Sequence, residues 1–112
     1  MNSERDMDHV FHALANGSRR RMLDIVRQSP GLGVGELSKE FDVSRIAVMK
    51  HLAVLEEAGL VVSEKAGRVR RLYFNAAPIQ MIHNRWTDEY SAYWAGQLTR
   101  IKYQAEARKK GK

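Results

Sequence analysis

Ser44, Arg45, Ala47, Lys50 and His51 lie in one short run of the chain. Together they offer a hydroxyl, a guanidinium, a methyl, an ammonium and an imidazole. A guanidinium presents a planar fork that matches guanine O6 and N7. The Ala47 methyl suits the methyl of thymine. Ser44 and Lys50 suit phosphate oxygens, and His51 can donate to phosphate or to base. A plainer use exists for the same residues. Ser44 is a helix N-cap type, and Arg45 and Lys50 also make a solvated helix face.

Two further basic groups follow the same chemistry. Lys65, Arg68, Arg70 and Arg71 flank Gly67. In a regular strand, alternation puts Arg68 and Arg70 on one face and Val69 and Arg71 on the other. Such a hairpin can reach a phosphate backbone or a minor groove. Arg19, Arg20 and Arg21 follow Ser18, which reads as an N-cap. Cations in a first helical turn oppose the helix dipole. They therefore point to an external phosphate or to pairing with Glu4, Asp6 or Asp8.

Other chemistries lack their residues. Cysteine is absent, which excludes disulfides, thiolate metal sites and a cysteine nucleophile. His9 and His12 can share a helix face, but two imidazoles with no third ligand make no metal site. The adjacent pairs Glu56-Glu57 and Asp88-Glu89 diverge on a helix. There is no glycine-rich phosphate loop and no Ser/His/Asp arrangement. No cofactor, no metal and no enzymatic activity are expected.

The elements that must position these groups can be read from periodicity. Met7, Val10, Phe11 and Leu14 form one helical stripe, broken at Asn16-Gly17. Met22, Leu23, Ile25 and Val26 mark a second helix ending before Pro30-Gly31. Val34 to Phe41 makes a third, short one. A tight connection at Asp42-Val43 leads to a fourth, capped by Ser44 and running to Ala58. Val48, Leu52 and Leu55 face its core side, which leaves Arg45, Ala47, Lys50 and His51 broadly outward. Gly59 suits the left-handed position after a helix. Leu60–Lys65 and Val69–Asn75 then read as strands around Ala66-Gly67-Arg68. Pro78 opens a last helix, expected to run unbroken to about Arg108.

The expected fold is therefore mainly α with a small β-hairpin. Its five helices and hairpin are laid out as a winged helix-turn-helix, with the helix-turn-helix over about 34–58, the wing over about 60–75 and the last helix over about 78–108. The 112 residues suit a single domain. Hydrophobic residues make up 44% and charged residues 29%, which is ordinary for a globular chain. The net charge of +6 fits a polyanionic partner. Its distribution is uneven: residues 17–30 and 64–75 each carry +3, while residues 76–112 carry +4.

His12-Ala-Leu-Ala-Asn-Gly-Ser-Arg-Arg-Arg-Met-Leu-Asp-Ile-Val resembles the opening of ArsR-type bacterial repressors. The run from Val43 to Val61, with its Ser-x-x-x-Val-x-x-His-Leu-x-x-Leu-x-x-Ala-Gly-Leu-Val string, is similar to their reading helix and the residues after it. The wing Gly67-Arg-Val-Arg-Arg-Leu-Tyr-Phe fits the same pattern, and the likeness spans about residues 7–80. It implies a homodimeric, autoregulated repressor whose first and last helices form the dimer interface. The thiolate sensors of that family place a Cys-x-Cys pair where this chain has Glu36-Leu37-Ser38-Lys39-Glu40-Phe41. A second sensor type uses Asp and His on the last helix, with a later His and Glu. This chain has His83, Asp88 and Glu89 there and no later His. It is expected to be a member that does not sense metal, and its inducer is unknown.

The last helix carries Ile79, Ile82, Trp86, Tyr90, Tyr93, Trp94, Leu98 and Ile101 at helical spacing. This stripe can pack into a core, cover a second copy of the chain or line a pocket for an apolar effector. Dimerisation through Trp86, Tyr90, Tyr93, Trp94 and Leu98 is the reading adopted. The basic tail, Lys109, Lys110 and Lys112, receives no role. Residues 1–10 carry Glu4, Arg5, Asp6 and Asp8 and no apolar run, and no segment approaches a membrane span. The expected partners are double-stranded DNA and a second copy, with no membrane. The expected place is the bacterial cytoplasm, on the nucleoid. The alternatives are a winged-helix protein-interaction module and an architectural binder indifferent to DNA sequence.

Overall fold

The computed structural model describes residues 3–110. The chain divides into two compact units, one up to Gln80 and one from Met81 onward. Lys112 lies outside the described residues.

In the first unit, α1 (Glu4–Leu14) and α2 (Gly17–Gln28) lead to a two-residue strand, β1 (Leu32–Gly33). Then come α3 (Val34–Ser38), α4 (Arg45–Glu57), β2 (Val61–Ala66) and β3 (Val69–Phe74). The strands form an antiparallel sheet in the order β1-β3-β2. Val61 pairs with Phe74 and Ala66 with Val69, which sets the hairpin register. Gly67 has φ +64 at the first turn position, as a type II′ hairpin turn requires. Leu32 and Gly33, too short a run to read as a strand, pair with Leu72 and Arg71.

One core binds these elements. Val10 and Ala13 of α1, Met22 and Val26 of α2, Leu37 of α3, Val48, Leu52 and Leu55 of α4, and Leu72 of β3 are all buried. The expected inward stripe of α4 is thus the observed one. Ser44 Oγ accepts from Ala47 N at 3.1 Å and caps α4. At the other end Gly59 has φ +75. Gly59 N donates to Glu56 O (2.9 Å) and Leu60 N to Leu55 O (3.0 Å). These two bonds make a Schellman termination.

The second helix departs from expectation at its start. Its cap is Asn16, whose Oδ1 accepts from Arg19 N at 3.1 Å, and Ser18 lies inside the helix. Asn caps as well as Ser does, and here it sits at the bend between the two helices.

The boundary between the units falls within α5 (Ala77–Trp86), where Pro78 is buried in the first turn. The second unit also contains α6 (Glu89–Lys110). The single long helix expected over 78–108 is therefore two, and six helices are present among the described residues. The break has local causes. The Thr87 hydroxyl donates back to the His83 carbonyl. Asp88 Oδ1 accepts from Ser91 N at 2.7 Å and caps α6. Both side chains compete with the helical ladder for backbone partners. The Ser91 N–H also holds the Asp88 carboxyl below its usual pKa. Ser3 does the same for Asp6 at the start of α1, where Ser3 Oγ accepts from Asp6 N.

Candidate nucleic-acid interface

Helix α4 has two faces with different roles. Val48, Leu52 and Leu55 hold it on the core. The opposite side borders an open groove of about 820 Å³ between α3, α4 and the hairpin. Arg45, Ile46, Met49, Lys50 and Ala53 supply the α4 wall. Arg68 and Val69 supply the hairpin wall, and Lys39 the end of α3. Arg45, Lys50, Arg68 and Lys39 are exposed. None of these four makes an ion pair among the described residues. Glu36 is the acidic residue in the lining. The groove is thus an apolar floor with a mainly cationic rim, and it suits a polyanion with apolar points on its edge.

The structure brings Arg45, Lys50 and Arg68 together on this groove and uses the other expected contacts differently. Ser44 is exposed beside the groove but spends an acceptor site on its own helix. Ala47 is half-buried and does not line the groove. His51 is also half-buried and faces α2, where its Nδ1 lies 3.3 Å from Arg19 Nη1. A guanidinium only donates, so His51 Nδ1 is the acceptor in that contact when the ring is neutral. Arg70 borders the groove, but its guanidinium pairs with Glu56 and donates to Ser63 Oγ at 3.0 Å. It ties the hairpin to the end of α4.

Ile46, Met49, Ala53 and Lys39 were not among the expected contacts. For Ile46 and Ala53 the signal was present in the helical wheel of α4. With Val48, Leu52 and Leu55 inward, a 3.6-residue repeat sets Ile46, Lys50 and Ala53 opposite and turns His51 sideways. Ile46 is 70% exposed.

The early arginines have an internal purpose. Arg19 is buried; its Nε donates to Ala13 O and its Nη2 to His12 O, each at 2.9 Å. Arg20 Nη1 donates to Leu14 O at 2.6 Å. These carbonyls lie at the C-terminal end of α1, where a helix has unmet acceptors and partial negative charge. Cations that oppose the dipole of α2 thus complement that of α1. Arg21 lies 4.9 Å from the centre of the Phe41 ring, a cation–π contact. The pairing expected for these arginines with Glu4, Asp6 or Asp8 gives way to backbone capping.

Two antiparallel strands forming a wing beside a short helix, a turn and a reading helix define the class: a winged helix-turn-helix DNA-binding domain. Comparison with known proteins places it further. A helix-turn-helix domain family matches residues 14–64. The uncharacterised HTH-type transcriptional regulator YuzN of Bacillus subtilis is 36% identical over 87 residues, covering 72% of this chain and 95% of that one. The HTH-type transcriptional regulator Rv2034 of Mycobacterium tuberculosis is 44% identical over 73 residues, covering 65% and 66%. Among solved structures, an ArsR-like transcriptional regulator from Rhodococcus sp. RHA1 superposes with a TM-score of 0.69 at 28% identity, covering 94% and 97%. The chain belongs to the ArsR-type winged helix-turn-helix transcriptional regulators. It is a DNA-binding regulator and not an enzyme. Among the described residues, no helix is long and apolar enough to cross a membrane.

Proposed function

We propose that the chain is a homodimeric, autoregulated repressor that reads a palindromic operator in the bacterial cytoplasm, on the nucleoid. The observation that carries the reading is the convergence of Arg45, Lys50 and Arg68 on one groove beside the outward face of α4. Arg45 stands at the N-terminal end of that helix, where a reading helix meets base edges. Its fork is suited to guanine, while Lys50 and Arg68 are suited to phosphates. Each chain is one DNA-binding domain with pairing helices at its ends. Dimerisation is supported by α6 and the residues before it. Trp86, Tyr90, Tyr93, Trp94 and Leu98 are all exposed, an apolar surface that a second copy would cover. Two reading helices related by a two-fold axis would address half-sites about one helical turn (~34 Å) apart.

The test is a titration of purified protein with a duplex selected from a random pool and with unselected duplex, at several salt concentrations. The expected result is a palindromic selected site, bound far more tightly than unselected DNA, with affinity that falls as salt rises. Arg45→Ala is expected to cost about 1–3 kcal/mol and to relax the preference at one base pair. Lys50→Ala is expected to weaken all duplexes alike. Equal affinity for selected and unselected DNA would show an architectural binder instead.

A further inference from the structure

Four apolar side chains on the groove have no part in the core or in phosphate binding. They are Ile46, Met49 and Ala53 on the outward stripe of α4, and Val69 across from them on the hairpin. Ile46, Ala53 and Val69 are exposed and Met49 is half-buried. The α4 core stripe is complete in Val48, Leu52 and Leu55, each no more than 1% exposed. Ile46, by contrast, stands in the open beside Arg45 and Lys50. An apolar protein partner would suit the floor but not the cationic rim. A phosphate backbone alone would suit the rim but not the floor. A T·A-rich major groove meets both, because thymine C5-methyl groups are the apolar points on that edge. The lining contains no Asn or Gln, the side chains that read adenine by paired hydrogen bonds.

We infer that Ile46, Met49 and Ala53 determine operator specificity by packing against thymine methyl groups, so that each half-site is a T·A-rich tract beside the guanine addressed by Arg45. The inference rests on the DNA-reading role of this groove and adds which bases it prefers and how. Ala47, the methyl first matched to thymine, is half-buried off the groove and takes no part.

The experiment replaces thymines of the selected duplex one at a time by deoxyuridine, which removes the methyl and keeps base pairing. Binding is measured by fluorescence anisotropy with the full chain. Wild type is expected to lose about fourfold in affinity at each contacted thymine, the worth of one buried carbon. Ile46→Ala is expected to bind the thymine duplex more weakly and to lose the discrimination at one position, while keeping its preference for the guanine. Because Ile46 is exposed, its removal leaves the core intact, and an unchanged thermal unfolding curve checks this. If deoxyuridine has no effect anywhere while sequence-specific binding persists, the inference falls and the regulator reading stands. If no duplex is preferred, both fall. If oleate displaces DNA from wild type but not from Ile46→Ala, and deoxyuridine has no effect, the groove belongs to an amphipathic anion and the inference is overturned.

Discussion

The two units treat apolar side chains in opposite ways. The first buries them: Met22, Leu37, Leu52, Leu55, Leu60 and Leu72 are each almost wholly hidden, and its buried arginine has carbonyl partners. In the second, no residue from 81 to 109 is buried. Its aromatics touch one another instead. Trp94 lies 6.2 Å from Tyr90 and 5.7 Å from Tyr93, ring centre to ring centre, both edge-on. The contrast separates a part that buries its apolar side chains from a part that leaves them exposed, the surface on which the proposed second copy would pack. It also predicts two kinds of variant, those that melt the protein and those that weaken the proposed self-association.

The largest expected effect lies in the first unit. Leu52→Ala is expected to cost about 2–5 kcal/mol and to lower the unfolding midpoint, measured by circular dichroism. A fully hidden leucine that could be removed at no cost would break the contrast at its stronger end. Next is the exposed stripe. Trp94→Ala is expected to weaken self-association by about 2 kcal/mol or more, read by sedimentation equilibrium, with little change in the unfolding of the first unit. A wild-type chain that is monomeric at all concentrations would remove the partner from the comparison. Arg19→Met sharpens the first side. It takes the guanidinium away from the Ala13 and His12 carbonyls, the second of which keeps Ala15 N as a donor, and is expected to cost about 1–3 kcal/mol in denaturant titrations. It also frees His51 from its contact with α2.

Gly67→Ala is smaller. Nothing lies within 4 Å of the added carbon, so only the φ of +64 opposes it. About 1–2 kcal/mol is expected, measured as loss of amide protection confined to the hairpin. The smallest effect concerns acid. Asp6 and Asp88 have carboxyls held below their ordinary pKa by N–H and hydroxyl partners at the helix starts. Their contribution is present above the unfolded carboxylate pKa and is lost as pH falls through the lower folded one. Fraying at the starts of α1 and α6 is therefore expected at strongly acidic pH only. Asp88→Asn should keep the α6 cap but lose this pH response, followed by helical signal.

Elements with local signals were legible in the sequence. Ser44 and Gly59 bracket α4 because their cap chemistry depends on a few neighbours, and Gly67 marks the hairpin for the same reason. Features made by distant partners were not. Strand β1 exists only because Leu72 and Arg71 lie beside it. The early arginines suggested an external phosphate or an acidic partner in α1, yet their partners are the end of the preceding helix, the His51 ring on α4 and the Phe41 ring. Arg70 matched a phosphate ligand by type, but Glu56 claims it. The split at Thr87-Asp88 was local and could have been read, since Asp is a favoured N-cap. The even spacing of aromatics across the break obscured it. For the groove, the inward side of α4 was plain and the outward side was not, because which outward residues line it depends on where α3 and the hairpin lie against the helix.

The division of α4 into a core face and a groove face has a consequence for how such a chain can change over generations. Ile46 and Ala53 are exposed while Val48, Leu52 and Leu55 are buried, so exchanges at the outward positions are expected to cost the core little. Duplicated copies can therefore drift toward new operators while keeping one fold and one stability. A hybrid carrying another relative's residues at only those outward positions should inherit that relative's site.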